Sequence, residues 1–181
     1  MLKTIGMTAG IGAAVVIGGV LVAAAMRPDS FQVRRSATIN AAPEKIFPLI
    51  NDLHRFNSWN PFEKKDPNLK RSYGGPESGK GATYAFEGNS NVGKGTLEIL
   101  DSAPASKVTM ALRMLEPFEV RNTVDFVLQP KDGTTQVTWA MQGSVPYLAK
   151  IIHLFIDMDR MVGAEFEAGL ASLKTLAEKT Q

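Results

Sequence analysis

The sequence predicts an α+β domain: a curved antiparallel sheet covered by one long C-terminal helix, and preceded by an apolar N-terminal span. Three observations predict it. Successive runs from Ala82 to Gly143 alternate apolar and polar residues and are separated by short turn signals. After Pro146 the apolar residues recur in steps of three and four. No charged residue falls between Thr4 and Met26.

The N-terminal run, "TIGMTAGIGAAVVIGGVLVAAAM", is long enough for the about 20 residues that a spanning helix needs. Residues 4–26 are therefore expected to form a transmembrane anchor. Gly6, Gly10, Ala14 and Gly18 form a small-residue stripe that would let another membrane helix approach. The alternative is a signal peptide cut after Ala23-Ala24-Ala25, but the run exceeds the usual signal core of about 7–15 residues. The expected localisation is a single-pass membrane protein, or an exported one if the segment is cleaved.

"FQVRRSATI" then reads as a strand, with Phe31, Val33, Ala37 and Ile39 on one face. In "NAAPEKIFPLIND", Asn40 can cap, Pro43 suits a first helical turn, and Pro48 keeps the helix short. "LHRFNSW" makes a second helical turn, ended by Pro61. In the strands that follow, Tyr84 and Phe86 share a face, as do Leu97 and Ile99, then Met110, Leu112 and Met114, then Val124, Phe126 and Leu128, then Trp139 and Met141. Clean alternation means one dry and one wet sheet face. The closing helix runs from Leu148 through Phe155, Met158 and Phe166 to near Glu178. It is the only element large enough to cover the sheet.

Composition excludes several classes. The chain has 181 residues, with 20 Lys plus Arg against 18 Asp plus Glu. A net charge of +2 without a basic stripe does not fit a nucleic-acid module. Cysteine is absent, which removes disulfides, thiolate nucleophiles and cysteine zinc sites. His54 and His153 have no acidic or hydroxyl partner at a recognisable spacing and read as surface or helix-edge residues. No metal site and no cofactor are expected. "GNSNVGKG" lacks phosphate-loop spacing and a following helix, so it reads as a hairpin turn.

The stretches "FQVRRSATINAAPEKIFPLINDLHRFNSWNPFEKKDP", "GKGATYAFEGNSNVGKGTLEIL" and "IDMDRMVGAEFEAGLASLKTLAE" resemble the SRPBCC superfamily, the START-like or helix-grip proteins. Within it the chain is most similar to the bacterial polyketide cyclase/dehydrase and lipid transport type. The resemblance implies a helix-grip domain over residues 30–181 with an apolar cavity between sheet and terminal helix. It implies no catalytic set, because the fold serves many chemistries.

Residues expected to bind a guest are Trp59, Phe62, Tyr84, Phe86, Met110, Leu112, Met114, Trp139, Met141, Phe155, Met158 and Phe166. Methionine adapts to irregular apolar shapes. Trp59 and Phe62, on a helix end stopped by Pro61, read equally as a cavity rim or as a core plug. Arg35 and Asn122 fall on predicted dry faces and are polar candidates for a ligand headgroup. The leading expectation is a membrane-tethered protein that binds a hydrophobic small molecule or lipid. The alternatives are a polyketide cyclase or dehydratase and a membrane-anchored interaction module.

Overall fold

The computed structural model describes residues 16–179. Residues 16–25 are helical. The rest of the expected anchor, residues 4–15 with most of the small-residue stripe, lies outside the described residues. Among those described, no helix is long and apolar enough to cross a membrane.

Seven strands form one antiparallel sheet: β1 (Ser30–Ile39), β2 (Lys70–Gly74), β3 (Thr83–Glu87), β4 (Lys94–Ala103), β5 (Lys107–Glu116), β6 (Val120–Lys131) and β7 (Thr134–Ser144). Their order is β1-β7-β6-β5-β4-β3-β2. The alternating faces hold as expected, because a dry face fixes register and a one-residue slip would expose it. Asp132 and Gly133 turn β6 into β7 with φ of 48 and 78, the left-handed pair that a two-residue hairpin requires. The edge strand β2 carries no apolar alternation and is exposed throughout, so its pattern does not announce a strand.

Helices α1 (Pro43–Asn51) and α2 (Leu53–Trp59) follow β1, then a 3-10 turn (Pro61–Lys65). Asp52 caps α2 by accepting from the His54 and Arg55 amides at 2.9 and 3.3 Å. Pro61 therefore ends one helix and opens the next turn, with Asn60 accepting from the Phe62 amide.

The C-terminal helix differs from the expectation of a single rod. It is two helices, α3 (Tyr147–Ile152) and α4 (Met158–Lys179), separated by residues 153–157. No proline or glycine causes the break. Asp157 accepts from the Arg160 amide at 3.0 Å and so caps α4, which lets the chain turn before it. Lys150 Nζ bonds Asp29 Oδ1 at 2.6 Å and ties α3 to the segment that enters β1.

Helix α4 lies across β1 and β7, not across the whole sheet. Lys174 Nζ donates to the Thr38 carbonyl at 2.7 Å. At the Ile39 end the space is solid: Ile39, Ile46, Ile50, Leu53, Phe126, Leu170 and Leu173 are buried together. Toward the other end the concave face of β3 to β6 curves away from α4, and a space remains.

Candidate functional site: an apolar cavity with one acidic pole

That space is a cavity of about 340 Å³. Strand alternation points Tyr84, Phe86, Leu97, Met110, Leu112, Met114, Asn122, Val124, Trp139 and Met141 into it from β3 to β7. Met158, Val162 and Phe166 close it from α4, and Val145, Ala149 and His153 from α3 and its flanks. Asn91 and Val92, from the β3–β4 hairpin, complete the wall. Of the residues expected to meet a guest, Phe62, Tyr84, Phe86, Met110, Leu112, Met114, Trp139, Met141, Met158 and Phe166 all line the cavity, as does Asn122.

Three expected residues lie elsewhere. Trp59 is 1% exposed and plugs the core. Its indole N–H donates to the Leu49 carbonyl at 2.7 Å, and its ring meets Phe56, Phe126 and Trp139 edge-on. Phe155 is 75% exposed because it falls in the break between α3 and α4. Arg35 turns to α4 instead: its guanidinium bonds Asp159 at 3.0 Å and Glu167 Oε1 at 2.7 Å. Gly163 makes room for it, since a Cβ there would stand 2.0 Å from Nη2.

Two ionisable residues not expected in the wall are there. His153 is half-buried in it, because the helix break turns this edge inward. Glu63 also lines it. The 3-10 turn brings Glu63 under β2 and β3, where Arg71 Nε bonds Oε2 at 2.6 Å and the Tyr84 hydroxyl donates to Oε1. Burial, and then this bond to Glu63, push the Tyr84 hydroxyl well above the ordinary tyrosine range, so it stays protonated. The bond to Glu63 likewise raises Arg71. Among the described residues, the wall contains no lysine and no arginine. Deeper in, Trp139 stacks on Phe166 with ring centroids 4.0 Å apart. Its indole nitrogen and Asn122 Oδ1 find no partner among the described residues.

A twisted antiparallel sheet gripping a C-terminal helix around a greasy chamber defines the helix-grip class of binding folds and enzymes. The comparisons agree. The family of polyketide cyclase / dehydrase and lipid transport proteins matches residues 30–178, and the chain belongs to it. No curated protein matches this sequence. Among solved structures, a protein from Mesorhizobium loti is 16% identical, with TM-score 0.61, over 83% of this chain and 99% of that one. Ara h 8.0201 is 10% identical, with TM-score 0.57, over 83% and 99%. DynU16, a protein of the dynemicin biosynthetic locus, is 14% identical, with TM-score 0.56, over 86% and 49%. At such identities the likeness shows the fold alone.

Proposed function

We propose that the protein binds one small apolar molecule in this cavity and does so at a membrane. The observation that carries the binding reading is the chamber between sheet and helix with its almost wholly apolar wall. Its 340 Å³ stands at the lower end of the roughly 300–1,000 Å³ of ligand pockets, which suits one compact guest better than a two-chain lipid. Burying about 300 Å² of apolar guest gives about 7 kcal/mol gross. Association costs at least about 4 kcal/mol, so grease alone gives weak binding.

The membrane reading is supported by the uncharged run 4–26 and by where its described part ends. Pairing of Ser30 with Ser144 sets the N-terminal helix beside α3. There the Tyr147 hydroxyl donates to the Leu21 carbonyl at 2.8 Å. Asn122 pairs with Gly143 and Val120 with Met114, so the β5–β6 hairpin tip is at this same end. Phe118 on that tip, Leu148, Ile152, Phe155 and Ile156 around α3, and Ile17 and Val22 on the N-terminal helix are all exposed. Apolar surface gathered this way marks an interaction site, and here it lies at the end of the sheet where Ser144, Pro146 and Ala149 line the cavity. A bilayer would cover it and supply the guest.

The test of binding is native mass spectrometry of the purified chain, together with uptake of naphthalene. A retained or acquired apolar guest is expected, and Leu112→Trp should lose it while still unfolding cooperatively. Failure of the unaltered chain to retain or take up any apolar molecule overturns the reading. A second reading, a cyclase or dehydratase, draws support from Glu63 with Tyr84, and from His153, as acid–base groups inside the chamber.

A further inference from the structure

We infer that the cavity selects guests bearing a hydrogen-bond donor, a hydroxyl or an amine, and rejects carboxylates, with Glu63 as the polar anchor. The inference rests on the reading of the chamber as an apolar ligand site. Among the described residues, Glu63 is the only carboxylate in the wall, and no lysine or arginine there balances an anionic guest. Arg71 is engaged by Glu63 itself, at 2.6 Å.

The carboxylate is held before any guest arrives. Arg71 fixes one oxygen and the Tyr84 hydroxyl the other. A carboxylate has about four lone-pair sites, so acceptor capacity is left over after these two bonds. The Tyr84 proton is spent on Glu63, and burial keeps it on the oxygen. Toward a guest, Tyr84 therefore offers a lone pair and no proton. The pair presents acceptors only. A donor-free guest would leave the spare acceptor sites of Glu63 facing hydrocarbon without a partner, which is costly. A guest carboxylate would place a second negative charge beside Glu63 with nothing to neutralise it. A hydroxyl or amine satisfies the free acceptor sites with a charge-assisted bond.

The probes are naphthalene, methoxynaphthalene, naphthol, naphthylamine and naphthoate, titrated into the full chain at neutral pH and followed by their own fluorescence. Naphthol and naphthylamine are expected to bind about tenfold tighter than the two donor-free compounds, with naphthoate weakest. Glu63→Gln should shrink the donor preference to within about twofold and improve naphthoate relative to naphthol. Tyr84→Phe leaves the carboxylate in place and should keep the donor preference, so a general loss of packing is told apart from loss of the anchor. Equal binding of naphthalene and naphthol by the unaltered chain, or a donor preference untouched by Glu63→Gln, overturns the inference and leaves the apolar site standing. Binding of none of the probes overturns the inference, and if native mass spectrometry also finds no retained guest it overturns the apolar site as well.

Discussion

Gly163 and Gly169 each admit a neighbour against α4, but the two neighbours differ in how they can respond. At Gly163 a Cβ would meet the far end of Arg35, a flexible side chain paired with carboxylates that are largely exposed. Such pairs are worth little, and alanine gains helix propensity over glycine. Gly163→Ala is expected to leave stability within about 1 kcal/mol of the parent in urea denaturation. At Gly169 a Cβ would stand 2.7 Å from the Trp139 ring and 3.0 Å from Pro61. Neither can swing away, so Gly169→Ala should cost about 1–3 kcal/mol in the same measurement. Tyr84 makes a pH prediction. Its folded value is raised above the ordinary 10.0, so the folded form keeps a proton that the unfolded chain sheds. Its contribution is fully present below that pH and is lost as pH rises beyond it. Urea midpoints followed through pH 10.0 should fall more steeply for the parent than for Tyr84→Phe. At this scale, alternation made Tyr84, Met110 and Trp139 legible in the sequence. Glu63 was not, because "NPFEKKDP" reads as a solvated loop and only the tertiary fold brings Arg71 and Tyr84 to it.

The elements were legible wherever one face is dry, and less so where an end is decided by a single polar bond. Periodicity runs unbroken from Leu148 to Leu173 and so reads as one rod, yet Asp157 starts a new helix by capping it. The signal was an aspartate ahead of an acidic first turn, outweighed by the apolar period around it. With the helix broken there, Phe155 stands in solvent and His153 in the cavity wall. Trp59 was undecided for a similar reason: α2 ends where expected, but only packing against Phe126 and Trp139 makes the ring a plug. Asp157→Ala removes the cap of α4 and should cost about 1 kcal/mol. Amide exchange would locate the effect: faster exchange is expected in the first turn of α4, with the strands unchanged.

The whole molecule has a closed end and an open end. Tight packing around Ile39 and Leu173 seals the first, and the exposed side chains of α3, the β5–β6 hairpin and residues 16–26 gather at the second. The sequence showed both ingredients, an uncharged N-terminal run and a grip fold, but not their meeting. That meeting follows from the Ser30–Ser144 pairing and from α3 folding back beside residue 21. Vesicle flotation of the full chain tests the proposed role. The chain is expected to float with zwitterionic vesicles, and Leu148→Asp with Phe155→Asp should lower uptake of a guest delivered from the bilayer more than uptake from solution. A chain that remains in the aqueous fraction with vesicles present would remove the tether from the proposal.

The two tryptophans sit on opposite sides of one boundary. Trp59, bonded to the Leu49 carbonyl, has no face on the chamber, whereas Trp139 forms part of its lining. The protein therefore carries its own optical gauge. Filling the chamber should alter the emission of one indole more than the other, so Trp59→Phe would leave a single-tryptophan protein whose indole emission reports occupancy without a label.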